Sequence, residues 1–202
     1  YGNRSLRSAD LPENIESIGS QAFRACGLSG FVNLPDSLNS IGINAFDGNN
    51  YIESINIGAG LTTLSSNCFE ECTSLSGVFI PDWFESLNYG VFLRCYDITT
   101  ISLGNGIEYI NKLAFGDCRS LTGIDIPSQI TGIGDSAFQT GLNITNVGFV
   151  EGLEYIGNSA FNNCRSLTGV SFPNTLSGIG LSSFSYCYDL SGQIIYTPNL
   201  QS

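Results

Sequence analysis

The 202-residue chain has no histidine, no methionine and one tryptophan, and only seven lysines and arginines against eighteen aspartates and glutamates. Each shortage excludes something. Without histidine the usual relay to a serine or cysteine nucleophile cannot be built, and the set of zinc ligands is incomplete. With a formal net charge of −11 the chain lacks the clustered cations that nucleic acid and anionic membrane surfaces require. No apolar run approaches the roughly 18 residues that span a bilayer, so no direct membrane insertion is expected. Charged residues make up only 12% of the chain, so Ser, Thr, Asn and Gly must solvate most of its surface. There is no initiator Met and no signal peptide, so a processed or excerpted segment is expected.

What the sequence does contain is a repeat. Phe23, Phe46, Phe69, Phe92, Phe115, Phe138, Phe161 and Phe184 stand 23 residues apart without a slip. Five before each anchor is Ile or Leu (Ile18 to Ile179), and eight before is Ile, Leu or Phe84. Nine and eleven after come apolar pairs: Val32/Leu34, Ile55/Ile57, Val78/Ile80, Ile101/Leu103, Ile124/Ile126, Val147/Phe149 and Val170/Phe172. In the eighth repeat the pair fades to Gln193/Ile195. An apolar pair separated by one residue has the period of a short strand. The Ala-Phe segments are too short for a long helix and predict one helical turn or a tight arc, with the Phe driven inward. Gly19, Gly42, Gly134, Gly157 and Gly180, four before the anchor, fit a bend where the next coil lies close. One 23-residue coil cannot bury its own apolar face, so the coils must stack on a shared core, making residues 1–202 a single solenoid. At a strand spacing of about 4.8 Å, eight coils make a rod on the order of 40 Å long. A second period of 46 is superposed, because Pro35, Pro81, Pro127 and Pro173 follow alternate strands.

The stretch Leu121 to Phe138, Leu-Thr-Gly-Ile-Asp-Ile-Pro-Ser-Gln-Ile-Thr-Gly-Ile-Gly-Asp-Ser-Ala-Phe, resembles the BspA-like, or Treponema-type, leucine-rich repeat. The resemblance covers nearly the whole chain. It implies a right-handed leucine-rich-repeat coil, here of eight repeats, with a short-strand parallel sheet on its concave face. It also implies an extracellular or cell-surface protein, of the kind linked to adhesion, with no common catalytic site. The family's structural Cys position matches Cys26, Cys72, Cys95, Cys118, Cys164 and Cys187, with Asn49 and Gly141 departing from it.

Two readings of the cysteines stay open: a buried ladder of free thiols, or disulfides between adjacent coils such as 72–95, 95–118 or 164–187. Cys68 and Cys72, four apart, would meet on a helical turn. Glu16, Glu85, Glu108 and Glu154 share the column seven before the anchor and read as a solvated acidic stripe. There is no Asp-x-Asp-x-Asp-Gly calcium loop, and Gly104-Asn105-Gly106 reads as a turn. No catalytic residue, metal ligand or cofactor is assigned.

Function then rests on surface. The strand residues between the buried pairs should face outward, and the candidate binding surface is Phe31, Asn33, Asn56, Phe79, Ser102, Asp125, Asn146 and Ser171. This face is small, polar and nearly uncharged, with Phe31 and Phe79 as its aromatic anchors. Asn49 and Gly141, which break the repeat, are further candidates. The expected partner is a protein or glycan on a host or neighbouring cell. The competing expectation is self-association, end to end, into a filament. The sequons at Asn3 and Asn143 are candidate glycosylation sites.

Overall fold

The computed structural model describes residues 10–191. They form a β-solenoid with no helix, wound in coils of 23 residues. Among the described residues the strands fall into two sets, and the first six coils contribute one short strand to each. One set follows the Phe anchor: β2 (Ser29–Leu34), β4 (Tyr51–Ile57), β6 (Gly77–Phe79), β8 (Thr100–Ser102), β10 (Gly123–Asp125) and β12 (Asn146–Gly148). The other precedes it: β1 (Ser17–Ile18), β3 (Ser40–Ile41), β5 (Thr63–Leu64), β7 (Ser86–Leu87), β9 (Tyr109–Ile110), β11 (Gly132–Ile133), β13 (Tyr155–Ile156) and β14 (Gly178–Ile179). All pairs are parallel, and 23-residue partners such as Val78↔Ile101 and Ile133↔Ile156 face one another.

The first set is the strand that period-2 alternation predicts. It groups as β2-β4, β6-β8 and β10-β12, so its ladder follows the 46-residue period. Gly58 and Gly104 alternate with the prolines because an added Cβ there would sit 2.4 Å from Pro35 C and 2.2 Å from Pro81 O. The second set includes a continuous six-stranded ladder, β14-β13-β11-β9-β7-β5. Two residues per strand are too few to show alternation, so sequence periodicity does not reveal it.

The Ala-Phe segment is an arc, and the alternative of a helical turn is ruled out by its hydrogen bonds. In all eight repeats the residues two before and two after the anchor have positive φ, from 49° at Ala25 to 73° at Gly48. The N–H groups two before, at and two after the anchor then point at the next coil. Asn44, Phe46 and Gly48, for example, donate to the carbonyls of Ser66, Cys68 and Glu70 at 2.8–3.1 Å. A helix would consume these donors internally and leave the coils unjoined along this edge. The arc is therefore a third parallel ladder. Its cost, about 1–2 kcal/mol for each non-glycine residue held in the left-handed region, is offset by hydrogen bonds to the neighbouring coil. Of the −4 glycines, Gly42, Gly134, Gly157 and Gly180 do lie close to a neighbouring coil, but it is the preceding coil and not the next; an added Cβ on Gly42 would stand 2.2 Å from Ser20 N, whereas Gly19 has nothing near it.

The core is one continuous cluster. Consecutive anchor rings stack with centroids 5.2–5.9 Å apart and planes within 15°. Phe149 and Phe172 close the stack edge-on against Phe161 and Phe184. Each such contact adds roughly 0.5–1.5 kcal/mol beyond burial.

The cysteine column is part of this scaffold. All seven thiols are free. Cys72, Cys95, Cys118, Cys164 and Cys187 each donate Sγ–H to the carbonyl of the anchor Phe one coil back, at 3.1–3.5 Å. Asn49 makes the same bond to Phe23 O at 2.7 Å, bonds Phe46 O at 2.7 Å, and accepts from Leu28 N–H at 3.0 Å. At Gly141 the missing side chain is replaced by Ile144, whose Cδ1 lies 2.3 Å from where a Cβ would be. Asn49 and Gly141 are both buried, so these breaks in the repeat are solved inside the core and present nothing to a partner.

Candidate binding surface

The first strand set fixes the orientation of the sequence-derived face. Val32, Val78, Ile124 and Val147 turn inward and are buried, so their neighbours turn out. Asn33, Asn56, Ser102, Asp125, Asn146 and Ser171 are all exposed. Phe31 and Phe79 are exposed to 63% and 68%, which excludes packing into the core as the reason for either aromatic. The face brings neighbours together in order. Asn56 Nδ2 donates to Asn33 Oδ1 at 2.8 Å, and Asp125 and Asn146 line a shallow depression of about 330 Å³ with Thr100 and Gly123. Phe31 and Phe79 lie two coils apart and in different columns, so they do not form one patch. Beside this face, Thr99, Thr122, Thr145 and Thr168 each donate Oγ1–H to the carbonyl of the coil before, at 3.1–3.4 Å. These hydroxyls stitch the edge of the sheet.

Asn143 is exposed in the turn before β12, and Asn3 lies outside the described residues. Glu16, Glu85, Glu108 and Glu154 are exposed, and among the described residues no three His, Cys, Asp or Glu side chains are grouped to hold a metal. Other acids serve the fold: Asp36 and Asp82 accept the N–H of Ala59 and Asn105 in the next coil, at 2.8 and 2.9 Å.

Two columns escape the apolar-pattern reading because their members are polar or aromatic and differ between coils. In the second sheet, Tyr109 and Tyr155 alternate with Gly132 and Gly178. The Tyr109 ring lies over Gly132, where a Cβ would meet Cε2 at 2.3 Å. The column four after the anchor reads Tyr96, Arg119, Leu142, Arg165, Tyr188 over five successive coils. Its outer members pair: Arg119 sits 4.5 Å from the Tyr96 ring and Arg165 sits 5.9 Å from the Tyr188 ring.

The sequence profile of the BspA type leucine-rich repeat region, in six copies, matches residues 1–122 and 85–202. The chain belongs to that family. Among curated proteins none matches it. The fold is shared with solved bacterial structures. A leucine-rich repeat protein from Bacteroides ovatus superposes with a TM-score of 0.74 at 19% identity, covering 89% of this chain and 58% of that one. The T. pallidum leucine-rich repeat protein gives 0.60 at 25% identity, over 90% of this chain and 76% of that one. A leucine-rich cell surface protein from Faecalibacterium prausnitzii gives 0.52 at 20% identity, over 90% and 57%. The chain thus spans little more than half the length of the Bacteroides relative. Among the described residues of this BspA-type repeat protein, no helix is long and apolar enough to cross a membrane.

Proposed function

We propose that this BspA-type repeat is a non-enzymatic recognition module, displayed outside the cell or at its surface, that adheres to a protein or glycan on another cell. The observation that carries the reading is the outward strand face. Seven coils present an exposed, almost uncharged polar surface in fixed register, with Phe31 and Phe79 standing clear of it. Solenoids use such faces for extended recognition, and exposed aromatics supply the contact energy. The family membership and the cell-surface relative support the location. The test is cell adhesion by the 202-residue protein and by a variant carrying Phe79→Ala, Asn56→Lys and Asp125→Lys. Loss of adhesion with unchanged circular dichroism is expected; adhesion equal to the parent would overturn the reading.

End-to-end stacking into a filament is the competing reading. It is favoured by one observation: the 23-residue register of the six-stranded ladder from β5 to β14 gives those coils the same hydrogen-bonding edge. Light scattering that rises with protein concentration, with rods in negative stain, would support it over adhesion by monomers.

A further inference from the structure

We propose that the arc edge of the seventh and eighth coils, away from the strand face, is a binding site for a carboxylate-bearing sugar, with Arg165 as its anion-binding group.

Charge identifies the residue. Arg24, Arg94, Lys112 and Arg119 each have a carboxylate within 4.0 Å. Arg165 has none among the described residues, in a chain with more than twice as many acids as cations. It is nevertheless held in place. Its Nε–H donates to Asn163 Oδ1 at 2.8 Å, and its guanidinium lies against the Tyr188 ring. Fixing Arg165 through Nε leaves both terminal amino groups without a partner among the described residues, as the planar fork that grips a carboxylate in two parallel hydrogen bonds. Arg119, its counterpart two coils earlier, differs at this point, because its Nη2 already donates to Asp117 Oδ1 at 3.4 Å.

The surroundings define the ligand class. Asn162, Asn163, Arg165, Tyr186 and Tyr188 line a recess of about 300 Å³. Tyr186 and Tyr188 are 61% and 69% exposed and meet edge to face at 6.2 Å, so both rings stand open to solvent beside the guanidinium. Asn163 Nδ2 and Asn162 Oδ1 have no hydrogen-bond partner among the described residues, which leaves an amide donor and an amide acceptor beside the rings. Aromatic faces suit the apolar side of a sugar ring, amides suit its hydroxyls, and the guanidinium takes one acid group. A polyacidic peptide is a worse match. It would need several cations, and the net charge of −11 repels it.

The experiment is calorimetric titration of the 202-residue protein with three probes: a uronic-acid disaccharide, the same disaccharide with its carboxyl reduced to an alcohol, and a tri-aspartate peptide. Binding of the acid sugar alone is expected. Arg165→Lys, which keeps the charge and loses the fork, should weaken it about tenfold or more. Tyr188→Ala should weaken it as well, while Arg119→Gln should leave it unchanged. Circular dichroism separates lost binding from lost folding. The proposal is overturned if the reduced sugar or the peptide binds as tightly as the acid sugar, if nothing binds, or if folded Arg165→Lys binds like the parent. The strand-face variant retains this binding if the two surfaces are independent, so failure here is distinct from failure of the adhesion reading.

Discussion

Asn49 stands where other coils carry a thiol, and it makes the thiol's hydrogen bond plus two more. Removing it leaves the buried Leu28 N–H without its acceptor. Asn49→Ala is therefore expected to cost about 2–3 kcal/mol in urea unfolding, whereas Asn49→Cys, which keeps a donor to the Phe23 carbonyl, should cost roughly half as much. Gly141→Ala is expected to cost about 1–3 kcal/mol, because its Cβ collides with Ile144. Ile144→Val should recover part of that loss, as a double-mutant cycle measures directly. The thiols make a second prediction at this scale. Burial raises the pKa of Cys68, Cys72, Cys95 and Cys118 well above its ordinary 9.0, and pushes Cys164 up to about 12. The unfolded chain loses these protons first. Stability is thus complete below pH 9 and falls as pH rises from 9 towards 12, by roughly 1 kcal/mol at pH 10 for each fully buried thiol. The urea midpoint should drop between pH 8 and 10, and Cys95→Ala should flatten that drop.

At the scale of the element, the phenylalanine stack and the arc depend on one another. The ring turns inward only because the flanking residues adopt positive φ, and those conformations persist only because their N–H groups reach the next coil. Phe115 sits between two neighbouring rings and is fully buried, whereas Phe23, the first ring of the stack, is half-buried. Phe115→Ala is expected to cost about 3–5 kcal/mol and Phe23→Ala clearly less. Equal losses measured by denaturation would contradict the stack as the source of core stability. The strand after the anchor was legible from Val78/Ile80 and its equivalents, because two buried residues separated by one exposed residue leave a period. The strand before the anchor and the arc ladder were not. Ser86–Leu87 has one inward residue, and backbone hydrogen bonds between coils leave no side-chain signature.

Over the whole molecule, each coil touches only its neighbours, so stability is a sum of coil and interface contributions. Hydrogen exchange is expected to be slowest at Phe92, Phe115 and Phe138 and to quicken towards both ends of the described residues. A uniform exchange rate would show instead that the solenoid unfolds as one block.

The sequence by itself determined the coil length, the inward column and the outward face of the first strand. Those follow from apolar spacing, and spacing is local. The repeat motif also carried the family. What only the tertiary structure decided is where differing residues meet. Asn49, singled out as a break, is a core hydrogen-bond hub, and Gly141 is filled by Ile144. Arg165, inconspicuous in the sequence, emerges as a cation without an acid among the described residues, beside two exposed tyrosines. The physical reason is that stacking places residues 23 apart within contact. The chemistry of a column is then set by what adjacent coils supply, and that pairing becomes visible only once the register between coils is known.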